Sequence, residues 1–244
     1  MIDSKLGIMN NLEKLESEHY IFYFEKDSLA NKDIEKIEKE QENCYYEITK
    51  TLKIDFKGKI TYYLCDNPEI LGIIYGDNEP CNGFADIKNN AIYAVYNENI
   101  KCIGAHEDAH VISYLYNWPD SVAIREGIAM YFDKTWWGID NYVCTKIYYD
   151  RGEYHSIAQM INDEIFYDIP CEISYPIVGA FTDYVISRCG IDKYIDFYKS
   201  KDIMWEKYLG ISINELEKGF VEKIQSLKLD NNTRKNAENV LFKQ

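Results

Sequence analysis

The hydrophobic pattern changes period near Glu98, and that change limits the fold more than any other feature of the 244 residues. Before it, aromatic and β-branched runs surround one long helical stripe. After it, apolar residues recur every three or four positions almost to the end. Tyr20-Ile-Phe-Tyr-Phe24 and Lys59-Ile-Thr-Tyr-Tyr-Leu64 read as buried strands, and Gly72-Ile-Ile-Tyr75 as a short third. Residues 85–87 and 91–96 flank Lys88-Asn89-Asn90 as a hairpin. Ile34, Ile37, Gln41, Cys44, Tyr45, Ile48 and Leu52 mark the long helix, with Ser28 or Asn31 as its cap. Helical stripes follow near 99–116, 121–133, 142–150, 175–188, 191–199 and 213–227, and Gly190 stops the fourth. Asp230 to Gln244 is polar and is expected to fray or dock weakly. Strands first and helices afterwards spell α+β: a mixed N-terminal lobe over 1–98, a helical lobe over 99–228 and a polar tail over 229–244.

Composition removes several function classes. A chain of this size can bury about three quarters of its unfolded surface, so a sizeable core is available. The net charge of −14 opposes duplex binding, which relies on Lys and Arg neutralising phosphate. Anionic membrane is disfavoured likewise, and the apolar runs are too short for an integral membrane segment. Seven scattered cysteines without a Cys-x-x-Cys pair suit reduced thiols. With no signal peptide visible, a cytoplasmic location is favoured; a leader removed before Met1 would make it extracellular.

The chemistry is concentrated in His106-Glu107-Asp-Ala-His110. Residues i and i+4 share one helix face, so two imidazoles can converge on one Zn²⁺. Glu107 is turned about 100° around the helix, beside the metal, where a carboxylate can hold and deprotonate a water. A catalytic zinc usually takes three protein ligands. The chain has Ser113 and Tyr116 where the metzincin pattern needs Gly and His, so that solution is excluded. Glu126, in the small and apolar stretch Glu-Gly-Ile-Ala, is the first choice for the third ligand. Asp120 is second: after Trp118-Pro119 either it or Ser121 can cap the next helix, which gives Asp120 an alternative use. His19 reads as a packed residue, and His155 as a loop residue that could donate to an oxyanion.

These motifs carry a family resemblance. His106-Glu-Asp-Ala-His110 followed by Arg125-Glu126-Gly-Ile-Ala-Met-Tyr131 resembles the gluzincin metallopeptidases, especially the small peptidase MA-like proteins. Residues 175–190 and 210–217 are similar to later segments of the same group, and the strands at 19–24 and 59–64 also fit. The resemblance implies a zincin-like fold with a twisted sheet and helical C-terminal lobe, one zinc per chain lying between the lobes, and hydrolysis of a peptide or protein substrate. It also implies Tyr175 as a transition-state donor, because family members place the helix it opens beside the zinc. The match has departures. Thermolysin-like enzymes carry Asp four residues after the third ligand, where this chain has Met130, so another carboxylate, Asp108 or Asp133, or a carbonyl must orient the histidine. The Gly-Ala-Met-Glu-Asn signature of the one-zinc aminopeptidases is absent. The rival expectation is an inactive, zinc-stabilised peptide- or protein-binding member. Substrate specificity, endo- or exopeptidase character and oligomeric state are not written in the motifs.

Overall fold

The computed structural model describes residue 9 and residues 11–242. The chain is mixed α and β, with a mixed sheet, and divides into two compact units, 1–115 and 116–244. The division falls after Leu115, so the helix carrying both candidate histidines belongs with the sheet.

In the first unit, strands β1 (Leu12–Glu16), β2 (Tyr20–Glu25), β3 (Ile60–Cys65), β4 (Gly83–Asp86) and β5 (Ala91–Val95) form one sheet in the order β1-β2-β3-β5-β4. The β2–β3 and β3–β5 pairs are parallel, while both edge strands, β1 and β4, run antiparallel to their neighbours. Alternation along the strands builds two faces. Tyr20, Phe22, Ile60 and Tyr62 are buried on the side of helix α1 (Leu29–Leu52), whose own buried stripe is Ile37, Gln41, Tyr45, Ile48 and Leu52. Ser28 caps α1 by accepting from the Asn31 amide at 3.1 Å. On the other face Tyr23, Tyr63, Tyr93 and Phe84 stack across four strands with ring centroids 4.8–5.1 Å apart.

Three local readings change here. Residues 72–75 are not a strand but the end of helix α2 (Pro68–Tyr75). Asn67 accepts from the amides of Glu69 and Ile70, Pro68 suits the first turn, and Gly76 closes the helix at φ 116°. The helix expected from 99 starts only at α3 (Ala105–Ser113), because Lys101 pairs with Tyr96 and Gly104 sits at φ 123°. Strand β1 was not read from the sequence. Its Leu-Glu-Lys-Leu-Glu lacks the aromatic and β-branched residues that mark the others.

The second unit is helical apart from a short hairpin, β6 (Thr135–Trp136) and β7 (Ile139–Asp140). Its helices are α4 (Val122–Asp133), α5 (Asn141–Asp150), α6 (Ile157–Met160), α7 (Asp163–Asp168), α8 (Cys171–Cys189), α9 (Ile191–Lys199), α10 (Trp205–Leu209), α11 (Ile213–Ser226) and α12 (Asn231–Leu241). Helix α8 opens at Cys171, a turn before Tyr175, and ends on Gly190 as expected. The polar tail is helix α12, where Asp230 accepts from the Asn232 and Thr233 amides. Buried Ala237, with Leu229, Leu241 and Phe242, packs on Ile139, Ile147 and Tyr148, so the segment docks instead of fraying. Residues 243–244 of that tail lie outside the described residues. Among the described residues no helix is long and apolar enough to cross a membrane.

Candidate metal centre

Helix α3 is nine residues long and carries His106, Glu107 and His110. The His106 and His110 rings lie 5.0 Å apart between centroids at 84°, as i and i+4 spacing demands. His110 is buried, and its Nδ1 lies 3.0 Å from the Tyr114 hydroxyl, one further turn along. With Nδ1 so engaged, Nε2 is the atom His110 would offer to a metal. Glu107 is half-buried and faces the sheet edge: a Cβ built on Gly83 of β4 would sit 3.7 Å from its Oε1.

Asp108 does not partner a histidine. It lies two residues from each, on the far side of the helix, and is wholly buried. Its Oδ2 accepts from the Tyr20 hydroxyl at 2.8 Å and from Gln41 Nε2 at 2.7 Å, while Oδ1 has no hydrogen-bond partner. Burial pushes the carboxyl up to about 8 and neighbouring Glu107 adds to the rise, against the bonds from Tyr20, Tyr62 and Gln41. At neutral pH it is therefore mostly a neutral acid, the form that survives without a counter-charge. Asp133, the other candidate partner, closes helix α4.

Glu126 sits in the second turn of α4, half-buried. The Gly127 beside it allows a close approach, and the helix it admits is α8. A Cβ at 127 would fall 2.4 Å from Thr182 Oγ1 and 3.3 Å from the Val178 carbonyl. Asp120 does not cap α4. Ser121 occupies the cap position without a side-chain bond, and the Val122 amide donates instead to Asp163 Oδ1 at 2.7 Å. Asp120 is exposed, and its carbonyl accepts from Arg125.

One ligand atom from each of His106, His110 and Glu126 lies within 4.8 Å of the other two. Among the described residues no other group of three His, Cys, Asp or Glu side chains does so. Two imidazoles and a carboxylate are a donor set suited to Zn²⁺.

Tyr175 lies in the second turn of α8 between Trp136 and Phe166, with ring centroids at 5.6 and 6.0 Å. His155 is exposed on a loop held by Glu217, which accepts from Tyr154, Ser156 and the amides of Ile157 and Ala158 at 2.8–3.1 Å. His19 packs on Tyr45 at 3.8 Å, and its Nδ1 lies 2.6 Å from Glu42, the packed role expected of it.

Sequence reasoning missed Gln41 and Tyr114. Gln41 had a signal: an amide within an otherwise apolar helical stripe must find partners when buried. Tyr114, one of 22 tyrosines, had none. No family model matches the chain, and no curated protein or solved structure matches it either.

Proposed function

We propose that the chain is a zinc-dependent peptidase of gluzincin type with a zincin-like fold. The observation that carries this reading is the convergence of His106, His110 and Glu126, with Glu107 placed between the two histidines in sequence. Zinc held there would lower the pKa of a water to about 7 and polarise a carbonyl. Glu107 takes the proton from the attacking water and delivers it to the leaving amine. Tyr114 orients the His110 ring through Nδ1. Strand β4, at the sheet edge, offers its outer side to an extended peptide, and its Gly83 lies near the Glu107 carboxylate. The substrate is a peptide or protein, and the acidic surface favours cationic segments.

Metal analysis of the purified protein and a Glu107→Gln variant test the proposal together. The expected result is about one zinc per chain in both proteins, with peptide hydrolysis in the variant reduced by about 10²-fold or more. Zinc below about 0.1 equivalent, or undiminished hydrolysis in the variant, overturns it.

A further inference from the structure

Helix α3 has too few residues to hold its own position. It is nine residues long, and its N-cap, Gly104, has no side chain to cap it and adopts φ 123°, ψ −156°, a conformation open to glycine. The start of the helix is gripped from α1 instead. Gln41 is fully buried, and its Oε1 accepts the Gly104 amide at 2.8 Å. Its Nε2 donates to the Gly104 carbonyl at 2.9 Å and to Asp108 Oδ2 at 2.7 Å, with the Tyr62 hydroxyl at 2.8 Å. One amide therefore grips both the start of α3 and a side chain one turn further along its back.

Two attachment points constrain what one cannot. A bond to Gly104 alone fixes the helix along its axis and leaves rotation about that axis open. A bond to Asp108 alone leaves tilt. Asp108 points about 160° around the helix from both His106 and His110, since it is two residues from each. Any rotation that moved Asp108 would swing the imidazoles and the Glu107 carboxylate by the same angle. We infer that Gln41 is a positioning residue, which sets the axial place and rotation of α3 and so the aim of His106, Glu107 and His110. The inference rests on the zinc reading of those residues.

The test uses the full chain loaded with Zn²⁺ for affinity, by chelator competition, and with Co²⁺ for the visible spectrum. Gln41→Met keeps the length of the side chain and removes every bond. It is expected to weaken zinc by about tenfold, the range found when supporting shells are removed, and to shift the cobalt bands. Ile48→Ala is the control: it empties a fully buried position two turns along the same helix and makes none of these hydrogen bonds. It should destabilise the fold and leave affinity and spectrum as in the parent. If Gln41→Met fails to fold, Gln41→Asn replaces it; one methylene shorter, it can reach Gly104 or Asp108 but not both, and a smaller shift of the same kind is expected. Overturning results are an unmoved spectrum with affinity within about twofold in the Gln41 variant that folds, or an equal shift in Ile48→Ala. A parent protein that takes up no metal removes the zinc reading and this inference together; a parent that binds while its Gln41 variants are unmoved removes only the inference.

Discussion

The two units hold their candidate ligands by opposite means. Behind His106 and His110 lies a buried polar network, Asp108 with Tyr20, Gln41 and the backbone of Gly104. Along the helix of Glu126 the contacts are made by glycines: Gly127 admits α8 at Thr182, and Gly179 of α8 admits Met130 and Asn141. In the first unit, position depends on donors finding acceptors, so it is sensitive to chemistry and tolerant of shape. In the second, it depends on helices approaching without Cβ atoms, so it is sensitive to volume and tolerant of polarity. A polar network fixes rotation because hydrogen bonds are directional. A small-residue contact fixes separation.

The largest effect is expected where the network is broken from its centre. Asp108→Ala leaves the Tyr20 hydroxyl, and one of the bonds from Gln41, without an acceptor in a wholly buried place. Two orphaned donors at about 1–3 kcal/mol each put the loss near 4 kcal/mol. Asp108→Asn retains an acceptor oxygen of the same reach and should lose less than about 1.5 kcal/mol, in line with an ordinary hydrogen-bond exchange. Denaturant midpoints measure both. Equal losses in the two variants would mean that the site is held by shape after all, and the contrast with the second unit would disappear.

Volume is the corresponding probe of the second unit. A Cβ at Gly179 would meet Met130 Cβ at 2.6 Å and Asn141 Nδ2 at 2.7 Å; neither can retreat without moving α4 or the bond from Asn141 to the Met130 carbonyl. A Cβ at Gly127 meets the Thr182 hydroxyl at 2.4 Å, at the end of a side chain that can be trimmed. Gly179→Ala should therefore cost about 3 kcal/mol and Gly127→Ala about 1–2 kcal/mol. Adding Thr182→Ala should recover part of the Gly127→Ala loss and none of the Gly179→Ala loss. Thermal unfolding of the four variants decides it, and recovery in both cases would show a contact softer than the geometry implies.

The same contrast explains what the sequence made legible. The strands β2, β3 and β5 and the helices α1, α4, α5, α9 and α11 followed from apolar spacing, because each buries a regular stripe. The grouping of His106, His110 and Glu126 was readable because a candidate metal site calls for particular residue types at particular intervals. The segment 72–75 was misread because four apolar residues fit either period, and the deciding groups, Asn67, Pro68 and Gly76, lie outside the run. Asp120 was given a capping role that belongs to Asp163, forty-three residues later. Gln41 and Asp108 meet across sixty-seven residues. Such partners are fixed by tertiary packing, which no local pattern encodes.

The smallest expected effect concerns α12, the helix that polarity concealed. Ala237 is its one fully buried residue, and Arg234 joins the docking by pairing with Asp150 of α5, which Lys146 also holds at 2.6 Å. Desolvation raises the Asp150 carboxyl, yet the bonds from Lys146 and Arg234 outweigh it and keep it below its ordinary value of 3.8. A carboxyl depressed in the folded chain adds stability above the unfolded value, and loses it as pH falls through the folded one. Docking of α12 should thus be level from pH 7 to about 5 and weaken below about 4. Because the pair is partly open to water, Arg234→Ala should cost only about 0.5 kcal/mol at pH 7. Ala237→Asp, which puts a charge into the apolar contact, should cost several times more. Hydrogen exchange of the 231–241 amides reads the docking directly. Faster exchange in Arg234→Ala than in Ala237→Asp would show that α12 is held by charge, and would set it apart from the glycine contacts between α4 and α8.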